Sequence, residues 1–409
     1  MALTDETTLA GRLTRNGNFV LLVTGQFVSQ MGDRLAMVAF PWLVWRTTGS
    51  ALSTGLVLAL FTLPYVLFGT VAGGVLDRID KRGVMVAADL ARGGLVLAVP
   101  FVASRSTGGL YVLAFAVATA TVFFDPGLMA LLPDIVPQDD LLRANSLLAA
   151  SEHVTEIVGF AAAGFLVSYL ATRATFTIDA ATFAVSAVTL LAMTIRPASG
   201  SPDTSSKALR KTGFIGEIAE GIRYLREHVG LRANTLLAMA AAAGAGAFYP
   251  LTFLLAADRF GGTTAFGFME ASVAIGYLCA AIVIGSAARR LRKGLAITIG
   301  LMVMGVCATL PWVVHALPLV LLDFAALGAA NAAVLISIDT YVQATVPATI
   351  SGRVWGARFT LTQGAFAVGV LAAGALATGI GLGPLFGICG AILFVPALVA
   401  LFLPVIRDV

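Results

Sequence analysis

Charge is scarce in this chain. Asp, Glu, Lys and Arg make up 12% of its 409 residues, against 58% apolar, where a soluble globular domain is about a quarter charged. Too few polar side chains remain to coat a water-facing surface, which excludes an ordinary soluble enzyme. Strict alternation of polar and apolar residues is missing as well, and helix formers fill the apolar stretches, which argues against an outer-membrane barrel. The three cysteines, Cys279, Cys307 and Cys389, all lie in apolar stretches, and an odd number so placed makes no disulfide framework. His153, His228 and His315 are scattered and share no zinc-ligand spacing with the cysteines. No Gly-rich phosphate loop and no soluble domain large enough to hydrolyse ATP is present. No cofactor, metal or enzymatic activity is therefore expected.

Apolar length is what the chain has. Stretches near the roughly 20 residues that cross a bilayer as a helix recur at 19–45, 51–76, 84–104, 109–130, 146–170 and 174–195. They resume at 232–257, 264–287, 295–314, 317–341, 352–378 and 382–404. The expected fold is all-α and membrane-integral, with twelve transmembrane helices in two six-helix bundles. The bundles cover 1–195 and 232–409, and 196–231 links them. With the N-terminus inside, the inner segments hold most of the Lys and Arg, including Arg78, Lys81, Arg82, Arg289 and Arg292. The outer side holds only Arg46, Arg105, Arg173 and Arg259. This asymmetry obeys the positive-inside rule and places both termini in the cytoplasm.

The N-terminal MALTDETTLAGRLTRNG shows no cleavage site after a short apolar core and reads as a cytoplasmic tail. Basic clusters in short inner loops suit anionic lipid, not nucleic acid. Trp42, Trp45, Tyr65, Tyr111, Trp312 and Trp355 fall near span ends, where rings settle at the headgroups. The linker begins RPASGSPDTSSKALRKTG, flexible by composition. It ends FIGEIAEGIRYLREHVG, in which Phe214, Ile218, Ile222 and Leu225 share one face of an amphipathic helix at the inner surface. That helix is expected to dock between the halves.

The halves also match each other at a shift of about 210 residues. GGVLDRIDKRG aligns with IGSAARRLRKG, pairing Gly74 with Gly285, Arg78 with Arg289 and Arg82 with Lys293. IVPQDDLLRANSLLAASEHVTEIVGFAAAG aligns with TVPATISGRVWGARFTLTQGAFAVGVLAAG, pairing Pro137 with Pro347, Arg143 with Arg353 and Gly159 with Gly369. Six spans per half make these parallel repeats.

GGVLDRIDKR resembles the loop between the second and third spans of the major facilitator superfamily. GDRLAMVAFPWLV, LPYVLFGTVAGGVLDRIDKR, ANSLLAASEHVTEIVGF and SGRVWG resemble its drug:proton antiporter group, which includes macrolide and tetracycline exporters, with enterobactin exporters and other secretion effectors as relatives. The likeness covers nearly the whole chain. It implies alternating access between two bundles in a prokaryotic plasma membrane. It also implies that Asp77, Arg78 and Arg82, beside Asp80 and Lys81, hold helix ends together in the outward-open state. Such antiporters often carry Gly-Pro in the fifth span, whereas Gly159 is followed here by Phe160.

Function is sought where charge enters hydrocarbon, because each such group costs about 2.5–3.5 kcal/mol on insertion scales. Asp33 and Arg34 are neighbours in the first span, about 100° apart around a helix, so each is expected to find its partner on another helix. Asp33 reads equally as a proton or cation site and as half of an interspan lock. Glu152 and Glu156, four apart, share a face of the fifth span. Two close carboxylates cannot easily both be ionised, which makes them the first choice for proton coupling. Substrate contact and structural hydrogen bonding are their other readings, and His153 packs or relays protons beside them.

Asp89 and Arg92, three apart, are expected as a structural ion pair near the gate. Asp125, next to Pro126 and Gly127, serves gate or cavity. Glu270 and Asp323 are candidate outer-cavity proton or cation sites. Arg358, followed by Gln363, either bridges to Asp339 or attracts an anionic group of the cargo.

Without ATP chemistry, an ion gradient drives transport or transport is passive. The leading expectation is a monomeric, proton-coupled exporter of lipophilic or amphiphilic small molecules, as in multidrug or antibiotic efflux, with protons and membrane lipid as its other partners. The alternative is a dedicated exporter of a siderophore or other metabolite, or a lysolipid or glycolipid flippase.

Overall fold

A helix starts at low cost where a side chain accepts one of its first free amides. Asp80 accepts from Gly83 N at 3.1 Å, and Ser106 accepts from Gly109 N at 3.3 Å. Each opens a long apolar helix. The computed structural model describes residues 13, 15–76, 80–194, 214–287, 292–347 and 350–402. Its helices are α1 (Gly17–Thr48), α2 (Ala51–Leu76), α3 (Lys81–Ala103), α4 (Thr107–Ile135), α5 (Leu141–Tyr169) and α6 (Thr172–Ala192). They continue as α7 (Phe214–Glu227), α8 (Val229–Arg259), α9 (Thr263–Ala287), α10 (Lys293–Val313), α11 (Leu317–Thr345), α12 (Ser351–Ile380) and α13 (Leu382–Leu401). Connections are short. Gly381 alone separates α12 from α13, with φ at 82°, a left-handed backbone that glycine adopts without Cβ strain.

Among the described residues, ten helices are long and apolar enough to cross a membrane. Helices α1 and α5, at 32 and 29 residues, have the length but not the hydropathy. The first carries Gln26, Gln30, Asp33 and Arg34, and the second carries Glu152, His153 and Glu156. The fold is all-α and multi-span, and these two helices carry four of the candidate charges, Asp33, Arg34, Glu152 and Glu156.

Contacts divide the chain into two compact units. The first comprises Met1–Leu43 and Leu63–Asp203, and the second comprises Val44–Thr62 and Thr204–Val409. In the first unit α1 and α6 touch through glycines. A Cβ on Gly25 would stand 2.0 Å from Thr189 Oγ1, and one on Gly32 would stand 2.0 Å from Thr182 Oγ1. Small residues allow such close approach.

The internal repeat reappears as a shared helix pairing. Gly159 of α5 faces Met31 and Arg34 of α1, while its sequence counterpart Gly369 of α12 faces Ala243 and Ala247 of α8. In the second unit, Gly55 of α2 lies against Gly374 of α12.

Helix α7 belongs to the second unit. Leu225 is buried in an apolar cluster with Val342, Val346, Val354 and Ala357, and Ile222 packs against it. Arg353 of α12 holds Glu220 at 2.8 Å. The side chains of Phe214 and Ile218, expected on the same face, lie outside the described residues.

Candidate functional site

The first unit builds its polar centre around Arg92 of α3, which is 1% exposed. The guanidinium lies between two phenyl faces, 4.5 Å from the Phe124 ring on α4 and 4.4 Å from the Phe183 ring on α6. Its edge pairs with Asp89, one turn back on the same helix, and reaches Asp33 of α1 at 3.4 Å. The cation thus stacks on two aromatic rings while both terminal nitrogens donate to carboxylates, a combination an ammonium cannot offer; its Nε has no partner among the described residues. Helix periodicity made the Asp89–Arg92 pair legible in the sequence. Asp33 as its second partner was not.

Sequence reasoning passed over Asp179 of α6. It is fully buried, within electrostatic reach of Asp33 and Arg92, and neither carboxyl oxygen has a hydrogen-bond donor among the described residues. Its Oδ1 lies against Gly32, where a Cβ would stand 2.7 Å away. The signal was present: TFTIDAATF carries a lone acid inside an apolar span, the rule that picked out Asp89. Two carboxylates, Asp33 and Asp89, thus pair with one guanidinium, and a third, Asp179, lies within its electrostatic reach without pairing to it. Buried charge without a partner is costly, so this surplus negative charge suits a bound proton or a cation.

Asp125 of α4 is held at the margin of this group by Tyr65 of α2, whose hydroxyl donates to it at 3.1 Å. Tyr65, expected as a headgroup anchor, therefore has a polar partner inside the unit. Arg34 turns the other way from Asp33. It meets Glu156 of α5 at 3.5 Å and lies 5.3 Å from the Phe160 ring. Gly159 leaves room for its stem, since a Cβ there would stand 2.9 Å from Arg34 Cγ. Phe160, where related antiporters often carry proline, is the ring beneath the cation. His153 Nδ1 is 3.1 Å from Glu156 Oε2. The two glutamates therefore differ: Glu156 is engaged by Arg34 and His153, and Glu152 is exposed one turn away.

The basic loop element does two distinct things. Lys81 donates to Asp134 Oδ2 and to Ala130 O, both at 2.8 Å, fastening the start of α3 to the end of α4. Arg82 donates to Met193 O at 2.9 Å and to Leu191 O, covering the free carbonyls at the end of α6. Asp77 and Arg78, the other expected gating residues, lie outside the described residues.

Two cavities of the second unit carry candidate residues. One, of about 140 Å³, is lined by Glu270 of α9 with Tyr249, Asn331 and Phe366. The larger, about 340 Å³, lies among α8, α11 and α12 and brings Asp339, Arg358 and Gln363 to one wall system. Arg358 donates to Asn234 Oδ1 at 2.9 Å and lies 5.4 Å from the Trp355 ring. The bridge expected between Arg358 and Asp339 does not close within 4.0 Å; the hydrogen bond of the guanidinium goes to Asn234 of α8. Trp355 likewise serves this cation instead of acting only as an anchor. Asp323 of α11 is buried beside Cys307 of α10 and does not line the Glu270 cavity.

Long apolar helices with charged centres and cavities suit a membrane transporter, and comparison with known proteins supplies the class. The fold superposes on the nucleoside transporter NupG with a TM-score of 0.76 at 13% identity, covering 94% of this chain and 98% of that one. The chain belongs to the transmembrane secretion effector family of the major facilitator superfamily, whose profile matches residues 10–408. It is 27% identical to the multidrug efflux pump Tap of Mycolicibacterium fortuitum over 97% of this chain and 98% of that protein. It is 28% identical to macrolide efflux protein A of Streptococcus pyogenes over 71% of this chain and 72% of that protein. It is thus a multi-pass, secondary-active transporter of small molecules and not an enzyme.

Proposed function

We propose that this protein is a proton-coupled exporter of lipophilic or amphiphilic small molecules, working by alternating access in a prokaryotic plasma membrane. In this reading α1 and α5 cross the membrane with the ten apolar helices. Six spans lie on either side of the 196–231 linker, both termini are cytoplasmic, and the monomer is the working unit. The observation that carries the proposal is the surplus of acid around Arg92. Asp33 and Asp89 pair with one guanidinium, and Asp179, within its electrostatic reach, has no donor to either oxygen among the described residues.

A proton taken up by this group from outside removes negative charge from the centre of the first unit, and its release inside restores it. The two charge states favour different packings of the helices that bear them. The Arg34–Glu156 contact links the same stretch of α1 to α5, so rearrangement at Asp33 is felt at Glu156 and Glu152. Multidrug efflux is the cargo reading supported by the likeness to Tap and macrolide efflux protein A.

The test is dye and drug transport in proteoliposomes under an imposed pH gradient. Wild type is compared with Asp33→Asn, Asp179→Asn, Glu152→Gln and Glu156→Gln. Asp33→Asn and Asp179→Asn should abolish gradient-driven transport while leaving downhill exchange. Full gradient-driven transport in all four variants would remove proton coupling from these residues.

A further inference from the structure

The 340 Å³ cavity of the second unit falls in the about 300–1,000 Å³ range of small-molecule sites, and its charges are arranged unusually. Arg358 is 3% exposed, and the hydrogen bond it makes with its guanidinium goes to a neutral amide, Asn234. Asp339 lines the same cavity and interacts electrostatically with Arg358, yet no ion pair within 4.0 Å closes between them. No hydrogen bond or ion pair closes on Asp339 elsewhere among the described residues.

A buried base such as Arg358 is poorly compensated unless an acid such as the half-buried Asp339 meets it. Here both line one cavity and close no ion pair within 4.0 Å. The rest of the lining suits a flat guest: Ala238, Ala241 and Ala242 of α8 give a smooth wall without bulk, and Trp355 and Phe359 of α12 offer aromatic surface. Gln363 adds a neutral hydrogen-bonding group.

We infer that this cavity is a cargo site for planar aromatic zwitterions, with the anionic oxygen at Arg358, the cationic nitrogen at Asp339 and the ring system on Trp355. A guest carrying both charges gives the buried Arg358 and the half-buried Asp339 each the charged partner they do not find in one another. A guest with one charge leaves the other group uncompensated. The inference rests on the export reading above and specifies its substrate class.

Fluorescence anisotropy on the purified full chain in detergent tests it with three matched xanthene probes. These are the unsubstituted amino-rhodamine with a free carboxylate, its methyl ester, and fluorescein. They share one ring system and present a zwitterion, a cation and an anion. In wild type the zwitterion should bind at least about tenfold more tightly than either other probe, as one charge-assisted hydrogen bond provides. Asp339→Asn should weaken the zwitterion and the ester and spare fluorescein. Arg358→Gln should weaken the zwitterion and fluorescein and spare the ester.

Equal binding of the three probes, no binding of any, or an unchanged ranking in Asp339→Asn overturns the inference. The wild-type ranking and Asp339→Asn decide the matter even where Arg358→Gln does not fold. Gradient-driven transport measured in parallel separates the two readings. Transport without the probe ranking ends the zwitterion site alone, and the ranking without any gradient-driven transport ends proton-coupled export alone.

Discussion

Replacing Arg92 by methionine isolates what one buried cation does for the first unit. Methionine keeps much of the volume, and its sulfur still meets the Phe124 and Phe183 rings that flank the guanidinium. What disappears is the positive charge. Asp89 is 0% exposed and would be left without its cation, a loss of about 3–5 kcal/mol for breaking a buried pair from one side. Asp33, at 28% side-chain exposure, can turn to water and adds little. Removing both partners, as in Arg92→Met with Asp89→Leu, leaves no buried charge from this pair and should recover all but about 1 kcal/mol, since a buried ion pair exchanged for apolar packing is close to neutral. The assay is reversible unfolding of the purified protein in mixed micelles, with the full double-mutant cycle. A single-variant loss below about 1 kcal/mol, or losses that simply add in the double variant, would refute the account of Arg92 as the charge balance of this unit.

Two further outcomes follow from close helix contacts. Gly32→Ala places a methyl 2.0 Å from Thr182 Oγ1 and should cost about 1–3 kcal/mol by overpacking; adding Thr182→Ala should restore part of that loss in the same unfolding assay. Gly221→Ala sets a methyl 2.3 Å from Arg353 O, a backbone atom that cannot swing aside, so α7 should lift and trypsin should cut faster after Arg223 and Arg226. Glu220→Gln, which removes only a partly exposed ion pair, should cost at most about 1 kcal/mol and leave the cleavage rate near that of wild type.

Much of the architecture could be read from apolar length alone, because a bilayer sets helix length almost independently of sequence detail. The ten most apolar helices fall close to the expected stretches, and the Gly159–Gly369 match reappears as one helix pairing in both units. Partners were harder to read. Periodicity places Asp89 and Arg92 on one face, but it says nothing about which helix lies opposite, so the contacts of Asp33 with Arg92 and of Arg34 with Glu156 needed three dimensions. Arg358 shows the limit most clearly. A charged partner, Asp339, was near in the sequence pattern, and a neutral one on α8, Asn234, prevailed. Asp179 was missed for a different reason: it has no neighbouring charge in sequence to draw notice, although its isolation is what makes it unusual in space.

The charges on α1 also bear on biogenesis. In the proposed topology, where α1 crosses the membrane, ribosomal synthesis delivers Asp33 and Arg34 to the insertion machinery before Arg92 and Glu156 emerge, so this segment arrives without the partners it has in the folded unit. Stable residence must wait for later segments to come alongside. Maturation of the amino-terminal unit is therefore a late, collective event, and truncating the nascent chain ahead of α5 should leave α1 poorly retained by the lipid phase.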